Sequence, residues 1–173
     1  MIGTIAEPEP RCCGRLVTTL ELVAGPDPDR REASGLAVSV PPRLLAEEFG
    51  RGSVMRFEDV DFPAALTHEP TRRFLRETGL PEEHALFRLD LDTVLPTLTE
   101  SHACDPTAEL PADADRLIVL GHLDAPNVLL LHGETGTLHT WTPAAPIPHA
   151  LTADVSVLAF ALWLLHRDTA AHA

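Results

Sequence analysis

The sequence predicts an α+β fold with a central antiparallel sheet, flanking helices and a buried C-terminal helix. Three observations support this prediction. Short apolar or alternating segments follow one another in the second half with tight turns between them, as antiparallel strands do. Segments of helical pattern lie before and after this run. The last helical segment, residues 153–167, is apolar on nearly all sides, so other parts of the protein must cover it.

The chain has 173 residues, enough for one domain with a hydrophobic core. We expect a single domain over residues 1–173. Residues 1–14 should be loosely structured, and the polar, proline-containing residues 96–115 should form an insertion.

The first half should alternate helices, strands and loops. Residues 41–50 predict a short helix because two prolines open it and Gly50 closes it. The alternation of apolar and polar residues predicts strands at 36–40 and 53–60. The polar, proline-rich residues 26–35 predict a loop, and the ambiguous periodicity of residues 15–25 fits either a strand or a short helix.

Residues 66–81 predict the second clear helix. Thr67 is expected to cap it, Pro70 fits its first turn, and Gly79 followed by Pro81 should end it. An alternating strand is expected next, at 85–91.

The remaining strands should form the middle of the sheet. Residues 116–123 are almost continuously apolar, which predicts a central strand. A hairpin should follow, with its turn at Glu134-Thr135, and then a proline-rich crossing at 142–150. We expect Thr152 or Asp154 to cap the final helix and Arg167 to favour its end.

The hairpin carries histidines whose register suggests two interpretations. Pairing about its turn places Leu131 opposite Leu138 and Val128 opposite Trp141. His132 and His139 then become diagonal neighbours on one face. With Asp124 or Glu134 they could hold a metal, but the apolar faces favour histidines at the edge of a core, so we expect no metal and no cofactor.

Composition and charge limit the classes of function. The formal net charge is -13, which disfavours nucleic-acid binding and fits either a merely soluble acidic protein or one that meets a basic partner. Cys12, Cys13 and Cys104 fit neither a disulfide framework nor a zinc motif. No signal peptide is apparent, and the apolar residues 155–165 are too few to span a bilayer, so a cytoplasmic location is expected.

Several segments together resemble the SUKH superfamily, in particular its actinobacterial group-four branch of immunity proteins. The resemblance covers residues 56–167, and residues 41–55 more loosely. It rests on the helix ending in FLRETGLP and on the order of a strand, LG, a second strand, TGxxxxW and an apolar helix. Thr152-Ala153, where the family often has Asn-Ser, and HLDAP, in place of a polar glycine-rich turn, depart from its pattern.

The resemblance implies a non-enzymatic protein that neutralises a polymorphic toxin, often a nuclease or a nucleic-acid deaminase, by binding it. An acidic inhibitor suits a basic toxin domain. The residues expected to contact it are the acids Glu58, Asp59, Asp61, Asp124 and Glu134, together with Trp141 as either a contact or a core anchor.

The alternative is that the fold has been reused, as a biosynthetic accessory protein or a small-molecule enzyme. Such an enzyme would need a pocket where acid–base groups converge. The candidate catalytic residues for that alternative are His122, Asp124, His132 and His139. A scaffold protein with no toxin partner is a third possibility.

Overall fold

A computed structural model describes residues 11–27, 30–91 and 94–172. It has the predicted α+β architecture, with a six-stranded sheet of order β3-β4-β5-β6-β7-β8 in which every neighbouring pair is antiparallel. A separate two-stranded sheet joins β1 to β2.

The helices and strands have the following bounds. The helices are α1 (Arg11–Ala24), α2 (Pro42–Phe49), α3 (Glu69–Glu77), α4 (Leu98–Ser101) and α5 (Val155–Ala171). The strands are β1 (Val54–Met55), β2 (Leu80–Pro81), β3 (Glu83–His84), β4 (Phe87–Leu89), β5 (Leu117–His122), β6 (Val128–His132), β7 (Leu138–Thr142) and β8 (Ala145–Thr152). Two short 3-10 helices span Arg51–Ser53 and Asp59–Asp61.

The N-terminal part is more helical than the sequence predicted. Residues 15–25 fall almost entirely within α1, which settles the choice between strand and helix. The prediction of a loose segment at 1–14 is wrong for residues 11–14, which belong to this helix, and residues 1–10 lie outside the described part. Helix α1 packs against the core through Leu16 and Leu20, which are each 1% exposed.

The predicted strand at 36–40 is absent, because its backbone has other partners. The Ala37 N–H donates to Asp154 Oδ2 at 2.8 Å, and the Val38 N–H donates to Ser156 Oγ at 3.1 Å. These bonds hold the segment against the start of α5 instead of a sheet edge.

Only Val54–Met55 of the predicted strand at 53–60 is a strand. The chain turns afterwards because Glu58 and Asp61 form a capping box around the second 3-10 helix. The predicted helix at 66–81 is shorter, and His68 rather than Thr67 is its N-cap residue. Gly79 follows its end with φ of 77°, which favours glycine.

The central hairpin has the predicted register. Val128 pairs with Trp141, Leu130 with His139 and Leu131 with Leu138. The predicted crossing at 142–150 is wrong, because most of it belongs to the edge strand β8. An edge position explains why a proline-rich segment can pair at all, since only one side of it must donate hydrogen bonds.

Residues 96–115 do more than form a polar insertion. Leu98 and Ala114 from this segment are buried in a cluster with Leu117, Leu130 and Trp141, so the segment covers part of the outer face of the sheet. The opposite, inner face packs against the larger core, to which α1 and α5 contribute. The predicted burial of α5 is confirmed, with eight of its residues buried.

Candidate partner-binding surface

Three exposed apolar side chains lie outside the strands, one in the second 3-10 helix and two in the connection after β4. Val60 is 77% exposed, Val94 54% and Leu91 43%. We call these three residues the apolar patch. Burying exposed apolar side chains of this kind is a common source of binding free energy in protein interfaces, so the patch is a candidate contact surface.

Backbone hydrogen bonds of neighbouring residues place Val94 near Val60, and Leu91 beside β5. The Asp90 N–H donates to Leu120 O at 3.2 Å, and the Leu95 N–H donates to Asp61 O at 3.2 Å. Leu95 is only 1% exposed, so the residue next to Val94 is anchored in the core.

The acids beside Val60 hold its turn in place. The Glu58 N–H donates to Asp61 Oδ2 at 2.8 Å, and the Glu58 side chain accepts a backbone N–H of the same turn. Asp59 Oδ1 accepts from Arg76 at 2.7 Å and from Arg72 at 3.0 Å. Hydrogen bonds from these two guanidinium groups lower the pKa of Asp59. Of these predicted contact residues, Asp59 thus already has internal partners for its charge.

A cleft of about 440 Å³ continues the surface from Leu91. Its lining has more carboxylates than cations and consists of Glu82, Glu83, Arg88, Leu89, Asp90, Leu91 and His122. The Leu89 N–H donates to Glu82 O at 2.9 Å, which fixes the carboxylate-bearing segment against β4. The apolar patch therefore has carboxylates at both borders, of which Asp59 is ion-paired.

Glu134 lies in the turn between β6 and β7. Thr67 and His68 both donate their N–H groups to Gly133 O, at 3.0 and 2.9 Å, so the hairpin turn is fastened to the segment before α3. Glu134 forms an exposed ion pair with Arg116 at 3.7 Å. This predicted contact residue remains on the surface, but its charge is partly balanced.

Asp124 lies in the connection between β5 and β6, at the opposite end of the hairpin strands from Glu134. It lines a cleft of about 470 Å³ that shares Glu83, Arg88 and His122 with the acidic cleft beside Leu91. Because Asp124 and Glu134 lie at opposite ends of the hairpin, the six predicted contact residues do not form one surface.

Trp141 does not serve as an exposed contact. It is only 1% exposed and lies opposite Val128 in the sheet. Its ring packs edge-on against the ring of His102, with the two ring centroids 5.3 Å apart. The apolar strand face and residues 96–115 enclose it, so the core-anchor interpretation describes it and the partner-contact interpretation is wrong.

The four residues predicted for an enzyme alternative do not converge. His122 pairs with Val128, whereas His132 pairs with Leu117 at the other end of the same two strands. Four residues of strand separate these positions, or about 13 Å. His132 and His139 do lie together, with ring centroids 6.5 Å apart as the register predicted. Burial, and then the neighbouring His132, lower the pKa of His139.

The described residues contain no group of three or more His, Cys, Asp or Glu side chains that could hold a metal ion. Within the same part of the chain, no helix is both long and apolar enough to cross a membrane. The apolar patch was not predicted from the sequence. Val60 between Asp59 and Asp61 was the available signal, but the alternation of residues 53–60 predicted a strand there.

Comparison with known families gives a match to most of the chain. The family model described as SUKH-4 immunity protein matches residues 40–172, which include α2 to α5 and every strand. Helix α1 precedes the matched region. Comparisons with curated proteins and with solved structures give no match.

Proposed function

Because the chain belongs to the SUKH-4 immunity protein family, we propose that it neutralises a cognate protein toxin by binding it directly. We further propose that the toxin is a basic domain of the nuclease or nucleic-acid deaminase class. The observation that carries the proposal is the exposed apolar patch of Val60, Leu91 and Val94 with carboxylates on its borders.

The patch and its borders have different roles in this proposal. Apolar side chains that are desolvated at the centre of an interface supply most of the affinity, and surrounding polar groups supply specificity and speed of encounter. Val60 is the best anchor because the capping box and the ion pairs of Asp59 hold its turn before the partner arrives. A preorganised anchor loses little conformational entropy on binding.

The charge of the whole chain supports the choice of toxin class. A net charge of -13 creates a negative field that attracts basic proteins. Domains that act on nucleic acid present arginine and lysine to phosphates. An acidic inhibitor can therefore occupy the surface that such a domain uses for its substrate.

A toxin-protection assay tests the proposal. The genes that flank the gene of this protein are screened for toxin domains. Each such domain is produced in a sensitive bacterial host with and without this protein, and colony formation is counted. The purified pair is then titrated calorimetrically at low and high salt. We expect protection, one-to-one binding and weaker binding at high salt. Unchanged killing together with no heat of binding would contradict the proposal.

A matched pair of variants locates the surface. Val60→Ser should weaken toxin binding about tenfold or more, as truncation of an interface anchor does. Ile147→Ser is the control, because Ile147 is 70% exposed on edge strand β8, away from the patch. Equal losses in the two variants would show that toxin binding does not depend on the apolar patch.

A further inference from the structure

A cleft formed by α2, the first 3-10 helix, β1 and Arg56 is lined by arginines. Its volume is about 540 Å³, and its lining comprises Arg43, Ala46, Glu47, Arg51, Val54 and Arg56. It thus brings three guanidinium groups together with one carboxylate. This local excess of positive charge is opposite in sign to the net charge of -13.

These arginines differ from most others in the described part of the chain. Arg72 and Arg76 contact Asp59 and Glu69, while Arg116 contacts Glu134. No such ion pair is formed by Arg43, Arg51 or Arg56 with any carboxylate of the described residues. All three are exposed, so their donors are available to a ligand.

The backbone that carries them is fixed on both sides of the cleft. Leu45 is fully buried and holds α2 against the core. The Ser53 N–H donates to Gly50 O at 3.1 Å within the first 3-10 helix, and Val54 pairs with Pro81. Only the arginine side chains therefore have to be ordered when a ligand binds, which limits the entropic cost.

We propose that this cleft binds a small polyphosphate anion. Guanidinium groups match phosphate oxygens in geometry and form paired, charge-assisted hydrogen bonds with them. Three such groups suit a ligand with two or more phosphates. Ala46 and Val54 offer little apolar surface, so the phosphates rather than an attached organic group supply the recognition.

This site is separate from the proposed toxin-binding surface, because none of its lining residues belongs to the apolar patch or to the acidic cleft beside it. Inorganic pyrophosphate and a nucleoside triphosphate share the chemistry that the cleft recognises. Titrating both distinguishes the two sources. If pyrophosphate and the triphosphate bind with similar affinity, the cleft recognises two phosphates alone. If the triphosphate binds more tightly and the free nucleoside does not bind, the cleft recognises a longer chain of phosphates.

The test is calorimetric titration of the full-length protein with pyrophosphate at constant ionic strength and without divalent cations. We expect one ligand per chain. Arg51→Gln and Arg56→Gln should each weaken binding about tenfold or more, because each removes a charge-assisted contact. Arg73→Gln is the control, since Arg73 is an exposed arginine of α3 outside the cleft and the variant makes the same change in net charge.

Three results would overturn the proposal. One is the absence of binding at millimolar pyrophosphate while circular dichroism shows a folded protein. Another is an equal loss of affinity in Arg51→Gln and Arg73→Gln, which would show a response to net charge only. Stronger binding of poly-glutamate than of either phosphate compound would also reject the assignment, in favour of an acidic polypeptide.

Discussion

Replacing Asp154 tests most directly how the start of α5 is held in the fold. It is 2% exposed and lies just before α5. One carboxylate oxygen accepts the backbone N–H groups of Ser156 at 2.9 Å and Val157 at 3.4 Å, as well as the Ser156 hydroxyl. The other accepts the N–H of Ala37 at 2.8 Å. One side chain therefore caps the buried helix and fastens a segment more than a hundred residues earlier in the chain.

The cost of Asp154→Ala follows from these contacts. Loss of an N-cap costs about 1 kcal/mol. Leaving the donor of Ala37 without an acceptor adds about 1–3 kcal/mol, and the buried hydroxyl of Ser156 loses its partner as well. We expect the free energy of unfolding to fall by about 3–5 kcal/mol. At about 2–4 °C per kcal/mol for a chain of this size, Tm should fall by roughly 6–20 °C.

Urea denaturation followed by circular dichroism measures this loss. Asp168→Ala is the matched control, because Asp168 lies on the same helix but forms an exposed ion pair with Arg15. Exposed pairs of this kind contribute about 0–1 kcal/mol. If Asp154→Ala were as stable as Asp168→Ala, the bond from Ala37 and the helix cap would not stabilise the fold as argued.

Three more predictions concern the sheet and its surroundings. Gly133→Ala should destabilise the fold strongly in thermal melts, because the new Cβ would clash with the backbone oxygen of Ala65, whereas Gly52→Ala, in open space, should not. Trp141→Ala should cost about 3–5 kcal/mol in urea titrations, since it empties a buried site. Burial, and then nearby His166, lower the pKa of His84 from 6.5. The contribution of His84 to the free energy of unfolding is therefore fully present above pH 6.5, and it is lost as the pH falls through the lower folded-state pKa. His84→Phe should flatten this part of the curve of stability against pH. An unchanged slope would contradict the assignment.

The hairpin could be predicted from the sequence because its determinants are local. A short turn and a period of two residues fix which side chains pair, and the pairing of Val128 with Trp141 follows directly. Residues 36–40 have the same alternation but do not form a strand. Their hydrogen-bond acceptors are Asp154 and Ser156, and no local pattern shows that these distant residues come near.

The candidate surface was less predictable than the fold. The acids of the Val60 turn were visible in the sequence, but their partners were not, because Arg72 and Arg76 reach Asp59 only after α3 has packed. The exposure of Val60 likewise depends on the capping box that ends the predicted strand. Residue type indicated which side chains could bind a basic partner, while tertiary contacts decided which of them remain free to do so.

The two proposed binding surfaces lie mainly on short connections and at the ends of elements, not in the core. Val60, Leu91 and Val94 follow strands or occupy turns, and Arg51 begins a 3-10 helix. Because such positions contribute little buried surface, their side chains can change while the sheet and α5 remain intact. Val60→Ser should therefore alter toxin binding with no change in the unfolding midpoint, whereas Asp154→Ala should lower the midpoint and leave the toxin affinity of the folded fraction unchanged. If Val60→Ser also lowered the midpoint, Val60 would belong to the framework of the fold, and its loss of binding would no longer identify the contact surface.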